Sequence, residues 1–507
     1  MIQTIKYGGV MKMDQEIYFT DKTERWGKFE LCLPGPSDGN PYTDVIFAAK
    51  FACEHRVIQV DGYYDGEGRY FVRFMPDQIG TWHFETVSNV KELTGVSGVF
   101  QCTEPGPVNR GPVKVDQRFH FAYADGTPFY PFGTTSYVWN HQDEPLQELT
   151  LQSLAESGAF NKIRMCVFPK HYDYNLKEPA LFPFDGNIET GFHYTVFNPA
   201  YWRHLEQRIE NLQALGIEAD LILFHPYDRW GFSTMSPETD DFYLKYAIAR
   251  LSAYRNIWWS LANEYDLMKD KSTSDWDRFF RIIQEKDPYQ HLRSIHNWHH
   301  PGIHYRSNAH WYDHGKPWVT HASIQHHDLY FVQEWREQYG KPIVVDECRY
   351  EGNLNHGWGN ITAERMVECY WEGLVRGGYV THGETYLHDE EIIWWSHGGK
   401  LHGESPTRIL FLRQIAEEGP PLNPVQADFS WDAPTGGVDG EYYLVYFGSS
   451  RPAYRILPLP EGTDFTIELI DTWEMTITPL PGQFTGACRV ELPGKPYQAL
   501  RIKAIHQ

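Results

Sequence analysis

Two glutamates close apolar runs in positions that could do chemistry. Glu264 ends WWSLANE at 258–264, and Glu347 ends PIVVDE at 342–347. An apolar run that stops at a carboxylate reads as a buried strand whose C-terminal end carries a working side chain. Carboxyls delivered by two separate strands suit a reaction that needs one proton donor and one nucleophile or base. Cleavage of a glycosidic bond is such a reaction. One group protonates the leaving oxygen while the other attacks the anomeric carbon or activates water. The two lie about 5–5.5 Å apart when configuration is retained and roughly 6.5–9.5 Å apart when it is inverted.

The elements that must position these groups alternate along the middle of the chain. Strand candidates fall at 128–136, 160–168, 217–225, 256–263, 291–297, 317–324, 342–347 and 379–384. Helix patterns lie between them. Asn198 and Pro199 open one with Trp202, Leu205, Ile209 and Leu212 on a single face, and Gly216 closes it. Similar patterns cover 145–156, 274–285, 328–339, 362–375 and the segment opened by Ser405 and Pro406. Eight strands interleaved with helices over about 300 residues predict a (β/α)8 TIM barrel. A doubly wound open sheet is the competitor, but no GxGxxG turn follows the first strand.

Active sites in such barrels form at the C-terminal ends of the strands. Here those ends are polar and aromatic. They carry Trp139, Arg164, His225, Asn263 with Glu264, His296, Gln325 with His326 and His327, Glu347, and Glu384, while Trp395 follows the eighth strand.

The flanks read differently. Residues 1–112 show short alternating runs such as YFVRF at 70–74 and TWHFET at 81–86, which predict an Ig-like β-sandwich. Residues 420–507 return to that pattern and predict a C-terminal β-sandwich. The fold class expected is therefore multidomain α/β, with a barrel at 113–419 between two β-sandwiches.

Composition narrows the function classes. A formal net charge of −22 speaks against nucleic-acid binding, which needs clustered Lys and Arg. Aromatic content of 16% suits contact with the apolar faces of sugars, and equally suits core packing. Seven scattered cysteines show no CxxC pair. No apolar stretch has the length of a membrane span, and the first residues lack a signal-peptide core, so the expected location is cytoplasmic. A homo-oligomer is compatible with all of this.

WWSLANEYD at 258–266 and PIVVDECRYEG at 342–352 resemble the strand-four and strand-seven signatures of clan A glycoside hydrolases. The whole chain resembles a bacterial glycosidase group that joins a β-sandwich, an apiosidase-like barrel of family 5 type and a small C-terminal β-domain. FGTTSYVW at 132–139 and HGGKLHGESP at 397–406 look like further parts of that group. The resemblance implies Glu264 as acid/base, Glu347 as nucleophile, and Asn263 as donor to a substrate 2-hydroxyl. It also implies that Arg164 holds the nucleophile ionised. One departure stands out. Many clan members place a Tyr on strand six beside the nucleophile, whereas this chain has QHHD at 325–328.

Each residue also has a plainer reading. Glu264 and Glu347 could be bound in structural ion pairs, Arg164 could brace a barrel carboxylate, and Glu384 or Glu404 could brace a loop. His225 and His296 are equally readable as structural histidines. Either Trp394 or Trp395 could stack on a sugar while the other packs beneath the loop. HNWHHPGIH at 296–304 invites a metal hypothesis, but its spacing fits no HExxH or CxxC site, so no metal or cofactor is expected. The expected activity is retaining hydrolysis of β-linked glycosides, with exo action on short oligosaccharides. The rivals are a non-catalytic glycan-binding protein and a metal-dependent hydrolase.

Overall fold

All eight strands form in the computed structural model, which describes residues 2–5, 17–298, 311–387, 393–425 and 430–506. They are β1 Gly133–Thr135, β2 Lys162–Cys166, β3 Glu218–Phe224, β4 Ile257–Ala262, β5 Arg293–Ser294, β6 Ala322–Gln325, β7 Ile343–Glu347 and β8 Tyr379–His382. In one sheet they follow the order β5-β4-β3-β2-β1-β8-β7-β6. The registers of β1 with β2 and β8, β3 with β4, and β7 with β6 and β8 are parallel. A further parallel bridge joins His296, just past β5, to Ser323 of β6. Every residue of β2, β3, β4, β7 and β8 is buried. Helices cover one face and barrel contents fill the other, so these strands read as unbroken apolar runs. The fold is a TIM barrel flanked by β domains.

The helices are α1 Glu144–Ser157, α2 Pro199–Ala214, α3 Pro237–Leu251, α4 Thr273–Lys286, α5 Val332–Tyr339, α6 Ala363–Val375 and α7 Ser405–Glu417. Their ends obey local chemistry. Asn198 accepts a bond from the Ala200 N–H before Pro199, and Ser272 forms a capping box with Asp275. Gly158 and Gly340 close α1 and α5 in the left-handed region that a side chain would disfavour. Helix α3 is absent from the sequence reading because buried Asp240 and Arg250 interrupt its apolar face.

Two further features depart from expectation. The first strand is shorter than 128–136, since Pro128–Phe129 pairs instead with His120–Tyr123 in a separate antiparallel sheet with Val113–Asp116. Between β2 and α2 the chain also forms a hairpin, Phe184–Asn187 with Gly191–Phe197, anchored by buried Phe184 and Phe197.

By contact density the chain divides into two compact units. One comprises 1–114, 123–127 and 166–293, and the other 115–122, 128–165 and 294–507. In the first, two five-stranded sheets enclose a core that includes Phe29, Phe51, Phe74, Trp82 and Phe100, with Phe51 and Phe74 stacked at 4.1 Å. In the second, the C-terminal six-stranded sheet and a two-stranded ribbon close over Val445, Phe465, Leu500 and Ile502. Trp371 of α6 stacks on Tyr446 of that sheet. Among the described residues no helix is long and apolar enough to cross a membrane.

The N-terminal sandwich is joined to the barrel helices by buried charge. Arg73 meets Glu206 of α2 through both carboxylate oxygens, at 2.6 and 3.1 Å. Arg250 of α3 meets the same Glu206 at 2.7 Å and Asp65 at 2.6 Å. Burial alone would raise the Glu206 carboxyl, but the Arg250 and Arg73 charges outweigh it and hold the group at about 2. A depressed carboxyl contributes stability above its ordinary value of 4.5 and loses it as pH falls toward 2. Glu206→Gln should therefore cost about 3–5 kcal/mol at pH 7, because it removes the buried charge that two guanidinium groups share. Chemical denaturation should show the gap to wild type constant above pH 5 and shrinking below pH 4. A constant gap throughout would remove the electrostatic account.

Candidate active site

Glu347 ends β7 with only 6% of its surface exposed. Tyr137, just past β1, donates its hydroxyl to Glu347 Oε1. Gln325, the last residue of β6, donates Nε2–H to Oε2 at 3.0 Å. Asn297 fixes that glutamine by accepting the Gln325 backbone N–H at 3.2 Å. The Arg164 guanidinium lies 3.7 Å from Oε1, and His296 Nε2 lies 3.9 Å away. Burial first, then the Arg164 charge, holds the His296 imidazole well below its ordinary 6.5, so it is neutral near pH 7. The strand-six residue that meets Glu347 is thus Gln325, and a tyrosine reaches it from the first strand end.

Beneath this group sits a fully buried charge cluster. Asp346 accepts from Lys162 at 2.8 Å, from Ser323 at 2.5 Å and from Thr381 at 2.7 Å, with Arg164 Nε at 3.9 Å. Burial would raise the Asp346 carboxyl, but Lys162 and Arg164 together drive it far below the carboxylate range. Above, an aromatic wall surrounds Tyr137. Trp395 meets its edge at 5.6 Å, Tyr350 at 5.6 Å and Trp358 at 5.2 Å. Trp394 turns the other way and donates to Thr134 in β1 at 2.9 Å. Of the tryptophan pair, then, Trp395 joins the wall beside Glu347 and Trp394 packs below.

Glu264 follows β4 in the left-handed backbone region, at φ 50° and ψ 51°. That conformation costs a residue with a Cβ on the order of 1–3 kcal/mol, and such strain collects where a side chain must be aimed. Tyr227, after β3, donates its hydroxyl to Glu264 Oε2. Neighbouring Asn263 is buried, its backbone N–H bonded to Phe224 at 3.0 Å. His225 donates Nε2–H to the Phe168 carbonyl at 3.2 Å. Burial and the nearby Lys170 charge lower it to about 4, so it too is neutral near pH 7. Lys170 places its ammonium over the rings of Tyr227 and Tyr172.

Glu384 belongs to a different device. Its two oxygens accept the backbone N–H groups of His402 and of Gly403, the latter at 2.9 Å. Glu351 accepts from Tyr386 and the Glu404 N–H on one oxygen, and from the Ser405 N–H and hydroxyl on the other. The two carboxylates thereby satisfy four successive N–H groups leading into α7. With His382 they bring ligand-type atoms within 4.8 Å of one another. Coordination of an ion does not suit this donor set, because each Glu351 oxygen already accepts two hydrogen bonds. The HGESP stretch is the loop these carboxylates hold. Trp139 lies with its indole wholly buried. His299, His300 and His304 lie outside the described residues.

Tyr137 and Tyr227 were not singled out from sequence. Tyr137 stands inside the FGTTSYVW motif, and Tyr227 inside HPYD, so position past a strand end was the available signal. Which tyrosine hydroxyl meets which carboxylate depends on loop paths.

Fold and site together define an enzyme-type TIM barrel with carboxylates at the ends of β4 and β7. Residues 115–432 match the apiosidase-like catalytic domain, and the chain belongs to that family. Residues 22–89 and 431–503 match two domains of unknown function, DUF5060 and DUF5605. The chain is similar to a "putative glycoside hydrolase" from Bacteroides vulgatus ATCC 8482, with 41% identity over 96% of this chain and 100% of the other, at a TM-score of 0.89. A glycoside hydrolase family 5 structure from the same organism is 15% identical over 78% of this chain and 94% of its own, with a TM-score of 0.60, and shares the fold. Among curated proteins nothing matches.

The carboxylate cradle makes two checkable statements. A Cβ on Gly403 would stand 2.6 Å from Glu351 Oε2 and 2.7 Å from Glu384 Oε2. Gly403→Ala should therefore lower stability by about 1–3 kcal/mol, read from thermal melts. Burial pushes the Glu384 carboxyl up to about 8, against the pull of the His402 and Gly403 N–H groups. Since the folded state keeps that proton, its contribution is full below pH 4.5 and disappears as pH rises through 8. Wild type should lose stability from pH 6 to 9 while Glu384→Gln stays flatter. Parallel curves would show that Glu384 does not carry the proton.

Proposed function

We propose that this protein is a retaining glycoside hydrolase acting on β-linked glycosides, with Glu347 as nucleophile and Glu264 as acid/base. The observation that carries the reading is the setting of Glu347. A carboxylate at the end of β7 is gripped on both oxygens by Tyr137 and Gln325, with Arg164 alongside. Such a group is oriented for attack. Kinship with the Bacteroides glycoside hydrolase supports the general class.

In the first step Glu347 bonds to the anomeric carbon as the glycosidic C–O bond breaks, and Glu264 gives its proton to the departing oxygen. In the second, Glu264 takes a proton from water, whose oxygen displaces Glu347 and releases the sugar with retained configuration. Retention requires the two carboxyls to act about 5–5.5 Å apart. Tyr137 and Gln325 hold the attacking carboxylate, while Trp395 supplies an apolar face for a sugar ring. Arg164 and His296 lie beside Glu347, and Asn263 and His225, just past β4 and β3, are assigned to substrate contact. Trp139 is sealed in the core and Glu384 is committed to its loop, so neither is given a ligand contact. The residues named need no cofactor for these steps.

The test is turnover of a panel of aryl β-glycosides and oligosaccharides by wild type, Glu347→Ala and Glu264→Ala, with the product anomer followed by NMR. Glu347→Ala should lose on the order of a thousandfold or more, and the first-formed anomer should match the substrate. An inverted product would overturn the double-displacement mechanism. Sugar binding by wild type without turnover on substrates that its relatives cleave would favour a glycan-binding protein.

A further inference from the structure

We propose that Tyr350 is a positioning residue for Glu347, its hydroxyl closing onto the carboxylate as Glu347 leaves the sugar in the second step. The inference rests on the assignment of Glu347 as nucleophile. Tyr350 follows the end of β7 and is 2% exposed. Its backbone is paired, the N–H donating to the Trp358 carbonyl at 2.7 Å and the carbonyl accepting from the Ile361 N–H at 3.1 Å. Its hydroxyl is not. Among the described residues this buried oxygen makes no hydrogen bond of ordinary geometry. A buried hydroxyl left in that state costs free energy, so its placement calls for a reason. The neighbours supply one. Burial first, then the Glu347 carboxylate beside it, hold the phenol well above its usual range, while the Tyr137 hydroxyl pulls the other way. The phenol therefore keeps its proton and faces the nucleophile as a donor.

The ring itself is held in place. Arg349 takes a positive φ of 88°, which turns the chain just before Tyr350. A Cβ on Gly383, just past β8, would stand 2.3 Å from the Tyr350 ring, so only glycine lets the ring sit there. Trp358 meets the ring edge-on at 6.0 Å and Trp395 lies 5.6 Å away. The hydroxyl oxygen is thus a fixed point, and the Glu347 carboxyl is the part that swings to the anomeric carbon and back. A donor on that carboxyl acts oppositely in the two steps. In the first, Glu347 gives an electron pair to the new C–O bond, and a donor already bound to it opposes the attack. In the second, water's oxygen bonds to the anomeric carbon, the Glu347–carbon bond breaks and its electron pair returns to the carboxylate, which a donor assists. A hydroxyl loose in the resting enzyme opposes attack little. Bonds of this kind are often misaligned in an unliganded enzyme and tighten along the reaction.

The experiment compares Tyr350→Phe with wild type on a dinitrophenyl β-glycoside of a sugar that the panel shows to be cleaved. With so good a leaving group the first step is fast and the second limits kcat. In Tyr350→Phe, kcat and KM should fall together roughly tenfold, the size of one hydrogen bond, with kcat/KM changed less than about twofold. Glycosyl-enzyme should accumulate, read by mass spectrometry of the intact protein. The melting temperature should hold, since the variant keeps the ring and deletes a hydroxyl that makes no ordinary hydrogen bond. An unchanged kcat, a loss of kcat/KM as large as that of kcat, or a clear drop in melting temperature would overturn the proposal and leave Tyr350 a packing residue. A 2-deoxy-2-fluoro glycoside of the same sugar separates the underlying assignment, because it arrests the covalent intermediate. Its label should sit on Glu347 in wild type and leave more slowly from Tyr350→Phe. A label on another carboxylate would remove the nucleophile assignment and the role of Tyr350 with it.

Discussion

A carboxylate sealed inside a barrel cannot remain charged by itself, because removing an ion from water costs several kcal/mol even after relaxation. Asp346 is sealed in this way and is driven far below the usual carboxylate range by Lys162 and Arg164. Its partners come from β2, β6 and β8, so one side chain on β7 ties together four strands. Loss of either partner would leave an uncompensated charge in a dry interior. The arrangement also places Arg164, itself fully buried, within 3.7 Å of the next carboxylate along the chain, Glu347. The cation that faces Glu347 thus belongs to the ion cluster that holds the strands together.

The two glutamates assigned chemistry are held by different means. Glu347 stays in regular strand geometry and is met by side chains from other strand ends, Tyr137 and Gln325. Glu264 is aimed by its own backbone, which leaves the strand for a left-handed conformation, and meets the Tyr227 hydroxyl. A nucleophile must present a defined lone pair. An acid/base must instead gain and lose a proton, and the Tyr227 hydroxyl meets Glu264 on Oε2. The third acidic centre, Glu351 with Glu384, accepts four backbone N–H groups that lead into α7. Four glutamates are thus held in three different settings, set by what surrounds them.

Much of this architecture was legible from residue order. Buried strands appear as unbroken apolar runs, and the helices announce their ends through Asn198, Ser272, Thr362 and the closing glycines. Period and capping are local properties, so they survive in the sequence. The misreadings fell where tertiary pairing overrides local pattern. Pro128 and Phe129 look like the start of a barrel strand but find a better partner in His120–Tyr123. Helix α3 hides because its inward face carries Arg250 and Asp240, whose burial makes sense only beside Glu206, Asp65 and Lys271.

The residue order alone determined the repeating strand and helix units, the two flanking β regions, and the fact that glutamates end the fourth and seventh strands. These follow from hydrophobic periodicity and from the rule that a strand end faces the site. Only the tertiary structure decided which hydroxyl serves which carboxylate. It set Tyr137 and Gln325 on Glu347, Tyr227 on Glu264, and four backbone N–H groups on Glu351 and Glu384. A hydrogen bond has to be made within about 3 Å and near a straight line. Its partners here are separated by up to 210 residues, and nothing in local sequence encodes where two such distant loops will meet.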